Sequence, residues 1–291
     1  VVPKNDEFFS EYSQKDRLKT ISNFSGSAGY AVILKNKNFL FVDGRYTIQA
    51  NIESGKYFKI EKLEKILNFK LFKGLTLGID PKIFTQDQVK KFFLKYNKIK
   101  IIDTNLIDNI FSKYKINSKP FFSLDHKITG ESYKKKITKI SKILKKHKSD
   151  YLFVTAPENV AWLLNIRGYD NPNSPIPNCR LMLTKNKKIF LISEKFKVIK
   201  LIREKKIRKN EILEIENFER LIDKLKSGKI TIDNKTCSIY FNKVLQKKFK
   251  ILNKEDPIYL SKSIKNKNEI KHTINSHIID GVALTKFLHW I

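Results

Sequence analysis

The chain has 291 residues, enough for two ordinary domains, and 41% of them are hydrophobic, which excludes a disordered chain. Ten glycines, eight prolines and two cysteines exclude collagen-like, low-complexity and disulfide-scaffold classes. The formal charge of +30 suggests a nucleic-acid footprint, but 52 of the 59 basic residues are lysines spread along the whole length beside abundant Ile and Asn. Readers of bases and phosphates lean on arginine. The composition is that of AT-rich codons, and no specific nucleic-acid partner is expected.

In chain order, Val1-Val2 reads as the tail of a strand entering a turn at Pro3. Ser25-Gly26-Ser27-Ala28-Gly29 lacks the Lys-Ser/Thr ending of a phosphate loop and the GxGxxG spacing, so a tight turn is expected there. Residues 31–42, AVILKNKNFLFV, place four mainly apolar residues on each side of a Lys/Asn turn. That pattern predicts a β-hairpin with a four-residue loop. Asp43-Gly44-Arg45-Tyr46 then hands over to a helix across 46–54, with Asp43 as its cap. A strand at 75–79, a helix at 85–96 capped by Thr85, a strand at 100–102 and a short helix at 106–113 follow.

Residues 116–124 carry loop chemistry without periodicity and read as a linker. Beyond it, 130–146 is an amphipathic helix with the stripe Tyr133, Ile137, Ile140 and Leu144. Tyr151–Val154 reads as a buried strand and 158–164 as a short helix. Residues 181–192, LMLTKNKKIFLI, repeat the earlier hairpin 150 residues on. Each hairpin follows an apolar stretch and a glycine, Gly26 or Gly168, and each precedes a helix, here 194–205. Duplication of one α/β unit is the simplest account. Two strands at 230–233 and 237–240, a helix at 244–249 and a boundary at Asp256-Pro257 complete the second unit. The fold class is α/β, in two tandem domains with mixed sheets flanked by helices.

The last 25 residues, 267–291, form an amphipathic helix whose stripe includes Ile270, Ile274, Ile278, Leu284, Leu288 and Ile291. The chain stops inside that stripe without a cap, so more protein is expected to follow. No apolar run approaches a membrane span. No leader pattern opens the chain and cysteine is scarce, so a cytoplasmic setting is expected.

Candidate chemistry is sparse. The five histidines, His126, His147, His272, His277 and His289, form no HxH or HExxH arrangement. Cys179 and Cys237 have no neighbouring base that would lower a thiol pKa. No catalytic and no metal-ligating residue is expected within these 291 residues.

Several segments nevertheless resemble Xaa-Pro aminopeptidase (aminopeptidase P) of the long, three-domain type. Asn23-Phe24-Ser25-Gly26-Ser27-Ala28-Gly29 with Phe41-Val42-Asp43-Gly44-Arg45-Tyr46 is similar to its first domain. Ala161-Trp162-Leu163-Leu164-Asn165-Ile166-Arg167-Gly168-Tyr169-Asp170, followed by Pro172, Pro175 and Pro177, is similar to its second. Asn268-Glu269 through Trp290 is similar to the helix that opens the catalytic domain.

The resemblance implies two creatinase N-terminal-like, ribonuclease-H-like domains, at 1–117 and 118–258. Residues 259–291 would be the start of a pita-bread domain whose remainder is missing. It implies two divalent metals, manganese by family habit, held wholly beyond Ile291, and an inactive chain from an active parent hydrolase. The parent would remove the residue preceding proline from peptides and could form a homodimer. Within this chain Arg45, Tyr46, Arg167 and Asp170 are the candidates for substrate-facing or interdomain contacts. The alternative is a stand-alone creatinase-like module that binds peptide or protein without catalysis.

Overall fold

A computed structural model describes residues 1–10, 12–68, 73–110 and 118–291. The first unit runs β1 (Val2–Pro3), α1 (Arg17–Ser22), β2 (Gly29–Ile33), β3 (Asn38–Val42), α2 (Thr47–Ser54), β4 (Lys59–Lys62), β5 (Thr76–Ile79), α3 (Gln86–Phe92), β6 (Lys98–Ile101) and α4 (Leu106–Ile110). The second runs β7 (Phe122–Ser123), α5 (His126–Thr129), α6 (Tyr133–Lys146), β8 (Tyr151–Val154), α7 (Pro157–Leu164), β9 (Ile166–Arg167), β10 (Arg180–Thr184), β11 (Ile189–Ile192), α8 (Lys195–Arg203), β12 (Ile212–Leu213), α9 (Phe218–Lys224), β13 (Gly228–Ile232), α10 (Ile239–Gln246) and β14 (Phe249–Asn253). Two further helices follow, α11 (Pro257–Ser263) and α12 (Lys267–Trp290).

The second unit is built on a six-stranded mixed sheet ordered β12-β11-β10-β8-β13-β14. Its central strands read YLFV, RLMLT and IFLI because both faces are covered. Leu152, Val154, Leu181, Leu183 and Leu191 pack with Ile137, Ile140 and Leu144 of α6. Tyr151, Phe153, Met182 and Ile192 pack on the opposite face with Phe218 and Phe241.

In the first unit, β4-β3-β2-β1 form one ladder and β5-β6 another. The terminal amino group of Val1 donates to the carbonyl of Gly78 at 2.8 Å, which sets β1 beside β5. The two units therefore correspond strand for strand: β1 with β8, β2 with β10, β3 with β11, β4 with β12, β5 with β13 and β6 with β14. In both, the hairpin is antiparallel and the strand after the next helix pairs parallel with it. Helices α1 and α7 both end on an asparagine in the left-handed region, Asn23 at φ 63° and Asn165 at φ 52°.

Both hairpins form where expected. The residues expected as a strand at 237–240 instead enter α10. Ser238 adopts an extended N-cap conformation and its hydroxyl accepts from Phe241 N–H, which starts a helix that the neighbouring Ile and Tyr do not oppose. The helix expected at 244–249 is the end of α10, and Phe249 already begins β14. The strand expected at 100–102 lies at Lys98–Ile101, and the helix from Thr85 is shorter, ending at Phe92. Residues 111–113 of the expected short helix, and 116–117 of the expected linker, lie outside the described residues.

Candidate functional site

A cleft of about 430 Å³ opens where α12 leaves the second unit. Its floor is built by the turn at the end of α7. Asn165 closes that helix, and its amide donates to Thr129 Oγ1 at 3.0 Å and to the Glu131 carbonyl at 2.8 Å. Its Oδ1 is left to accept from Lys136 Nζ at 2.8 Å. Lys136 also donates to the Trp162 carbonyl at 3.0 Å and stands 3.9 Å over the Trp162 ring. Burial lowers its pKa from 10.5 to about 8.

The opposite wall comes from the start of α12. Asn266 caps that helix in a reciprocal capping box with Glu269. The second oxygen of Glu269 accepts from Trp162 Nε1 at 3.1 Å, and Asn266 Nδ2 donates to the Thr129 carbonyl at 2.9 Å. Lys262 of α11 donates to Asn159 Oδ1 at 2.7 Å, and Tyr259 OH donates to Glu158 Oε1 at 3.0 Å. Pro175 and Ile176 form the rim. Gly168 permits that rim, because a Cβ there would meet Pro177 Cα at 2.8 Å.

The four residues singled out from sequence lie in different places. Arg167 lines this cleft. Its Nη1 donates to the carbonyls of Ile166 at 2.8 Å and Ala161 at 3.3 Å, and burial lowers its pKa. Asp170 is buried on another wall, paired with Lys197 at 3.1 Å and accepting from Asn178 N–H at 2.6 Å. Arg45 is exposed, pairs with Asp43 at 2.8 Å and lies 5.4 Å over the Tyr46 ring. Tyr46 OH shares a hydrogen bond of 2.9 Å with Ser27 Oγ. The glycine loop before β2 is a turn: Ser25 Oγ donates to Glu53 Oε1 at 2.7 Å, and a Cβ on Gly29 would lie 2.9 Å from the Phe41 carbonyl.

Lys136, Lys262 and Glu269 were not legible as site residues. In so lysine-rich a chain two more lysines carry no signal. Only the Asn-x-x-Glu cap at 266–269 could have flagged Glu269, and then as a helix start.

Chemically, the cleft offers four cations, Lys136, Arg167, Lys262 and Lys265, and two carboxylates around an aromatic wall. That suits binding of a polar chain. Cys179 and Cys237 are fully buried, which raises both thiol pKa values and removes them as nucleophiles. Among the described residues no three His, Cys, Asp or Glu side chains come together in a metal-holding group.

Residues 112–269 match the creatinase/prolidase N-terminal domain, and the chain belongs to that family. Its relatives are Xaa-Pro aminopeptidases. It is 32% identical to Xaa-Pro aminopeptidase 1 of Dictyostelium discoideum and 30% identical to a probable Xaa-Pro aminopeptidase P of Laccaria bicolor. Both alignments cover 100% of this chain, and 50% and 48% of the relatives. The crystal structure of X-prolyl aminopeptidase from Caenorhabditis elegans, described as a cytosolic enzyme with a di-nuclear active site, superposes with a TM-score of 0.86 at 26% identity. That match covers 99% of this chain and 51% of that one. The chain spans about half the length of the curated relatives it matches. Among the described residues no helix is long and apolar enough to cross a membrane.

Proposed function

We propose that this chain is the non-catalytic half of a cytoplasmic, metal-dependent Xaa-Pro aminopeptidase. Its two creatinase-like domains, 1–117 and 118–258, shape access to an active site built by further residues, and 259–291 lead into that catalytic part. The observation that carries the reading is the match over 99% of the chain, in one alignment, to an X-prolyl aminopeptidase with a di-nuclear site. The exposed stripe of α12 supports it. Ile274, Ile278, Leu284 and Leu288 are each more than half exposed, although the first turn of the same helix is tied firmly to the cleft. A large bare apolar face calls for a partner surface.

In this reading two divalent metals, manganese by family habit, reside in the catalytic part and supply an activated water. The cleft holds the extended peptide beyond the proline. Arg167 and Lys262 offer charge to its carbonyls or carboxylate, while Trp162 and the Pro175 rim limit the width available. A homodimer of the full-length protein belongs to the same reading.

The test is Arg167→Ala in the full-length protein. If the cleft binds substrate, KM for a Xaa-Pro tetrapeptide rises about tenfold with kcat nearly unchanged, as expected for loss of a ground-state contact. Unchanged KM for both short and long peptides would remove the cleft from the substrate path.

A further inference from the structure

Nη1 of Arg167 is taken by two carbonyls, those of Ile166 at 2.8 Å and Ala161 at 3.3 Å. Closing the end of α7 in this way accounts for one corner of the guanidinium. The Nε–Nη2 edge, the side that grips a carboxylate with two parallel bonds, has no acceptor among the described residues. Arg17 shows that grip in the same chain: its Nε and Nη2 donate to the two oxygens of Asp108 at 2.8 and 2.9 Å. The open edge of Arg167 is not sealed in the interior, since neither atom is cut off from solvent, and the residue lines the cleft beside α12.

The rest of the lining points the same way. Four cations stand against two carboxylates, and both carboxylates are engaged by neutral donors. Glu269 accepts from Trp162 Nε1 with one oxygen and from Asn266 N–H with the other, and Glu158 accepts from Tyr259 OH. Glu269 is felt by Arg167 through space, yet among the described residues neither acid forms an ion pair with any of the four cations. Lys136 spends its bonds on the Trp162 carbonyl and Asn165 Oδ1, so it adds field rather than contact. Lys262 donates to Asn159 Oδ1 and keeps N–H groups to give. Like charges gathered in one cleft repel, and an incoming anion relieves that repulsion.

We propose, on the reading of this chain as the access-shaping half of a Xaa-Pro aminopeptidase, that this cleft is a subsite for the free C-terminal carboxylate of a short peptide. The carboxylate lies side-on against Nε and Nη2 of Arg167, with Lys262 as a further donor. The last side chain of the peptide rests on Trp162, Pro175 and Ile176. A rigid planar fork matches a carboxylate in a way that a lysine ammonium does not. With the first residue of the peptide at the catalytic part and its far end in this cleft, the span between them selects a peptide length. Peptides whose terminus falls short of the cleft, or runs past it, lose the contact.

The test uses the full-length protein and three Xaa-Pro tetrapeptides: the free acid, its C-terminal amide, and an amide whose last residue is Glu. KM for the neutral amide should lie about tenfold above that for the acid at similar kcat, as for loss of a charged ground-state contact. The amide ending in Glu should stay near the neutral amide. Arg167→Ala should bring acid and amide together, Arg167→Lys should restore part of the difference, and Lys262→Met should shrink it about two- to threefold. The acid-to-amide ratio of the unaltered protein needs no variant, and so decides the matter if Arg167→Ala fails to fold. Equal KM for acid and amide, an amide ending in Glu as good as the acid, or an acid preference that survives Arg167→Ala would each overturn the C-terminal subsite and leave the peptidase reading intact. No hydrolysis of any of the three would overturn the peptidase reading, and the subsite with it.

Discussion

Thr85 and Ser238 hold the same place in the two units, and they meet in an antiparallel bridge. Each is buried and caps its own helix. Beside the bridge, Ile239 N–H donates to the Phe84 carbonyl at 2.9 Å and Tyr240 N–H to the Pro81 carbonyl at 3.0 Å. Equivalent positions in contact are the mark of a two-fold-like relation between duplicated units. Thr85 carries the tighter cap: its Oγ1 accepts from Gln88 N–H at 3.1 Å, and Thr85 N–H in turn donates to Gln88 Oε1 at 2.9 Å. Thr85→Ala should cost about 1–2 kcal/mol in urea unfolding, and Ser238→Ala less. The double variant should depart from additivity by about 0.5 kcal/mol or more, because the two caps touch.

The buried pair Lys197–Asp170 behaves differently from the exposed pair Arg45–Asp43. Side-chain exposures are 8% and 2% for the first, against 73% and 36% for the second. Lys197→Met strands the Asp170 carboxylate and should destabilise by about 3–5 kcal/mol. Arg45→Ala should change stability by under about 1 kcal/mol. Chemical denaturation of the two variants side by side checks both.

Lys136 makes stability rise with pH in the alkaline range. Burial lowers its folded pKa to about 8, against 10.5 in the unfolded chain. Between those values the unfolded chain holds a proton that the folded chain has released. Folding is therefore increasingly favoured as pH rises through that window, with a slope of up to about 1.4 kcal/mol per pH unit. Lys136→Met should flatten that slope when unfolding midpoints are compared across the window.

Glu7 and Asp108 set an opposite, acidic limit. Burial works to raise both pKa values, but Arg17 and Lys15 outweigh it and both end lowered. Carboxylates with lowered folded pKa values add stability above their unfolded values, and that stability is lost as pH falls below about 4. Arg17, 1% exposed and 2.8 Å from Asp108 Oδ1, is the centre of this cluster. Arg17→Met should cost about 3 kcal/mol at neutral pH and weaken the acid dependence. Acid titration followed by circular dichroism measures it.

Much of the fold was legible because local rules and tertiary packing agree. The two hairpins are written twice in the same Lys/Asn-turn grammar, and α6 carries a clean apolar stripe. The order Cys237-Ser238-Ile239-Tyr240 misleads because β-forming side chains follow a serine whose capping role shows only when the next turn is helical. Strands such as Lys59–Lys62, KIEK, are edges with little apolar signal, and pairing with β3 defines them. Of the cleft, Arg167 and the proline rim could be read. Lys136, Lys262 and Glu269 are brought there by contacts more than a hundred residues apart in sequence or between neighbouring helices, which no spacing encodes.

The most direct measurement is hydrolysis of a Xaa-Pro peptide with manganese, run on this purified chain and on a longer product reaching the length of its relatives. Release of the first residue is expected from the longer product and not from this chain. Release by this chain alone, or no release by the longer one, would contradict a division between an access-shaping half and a catalytic half.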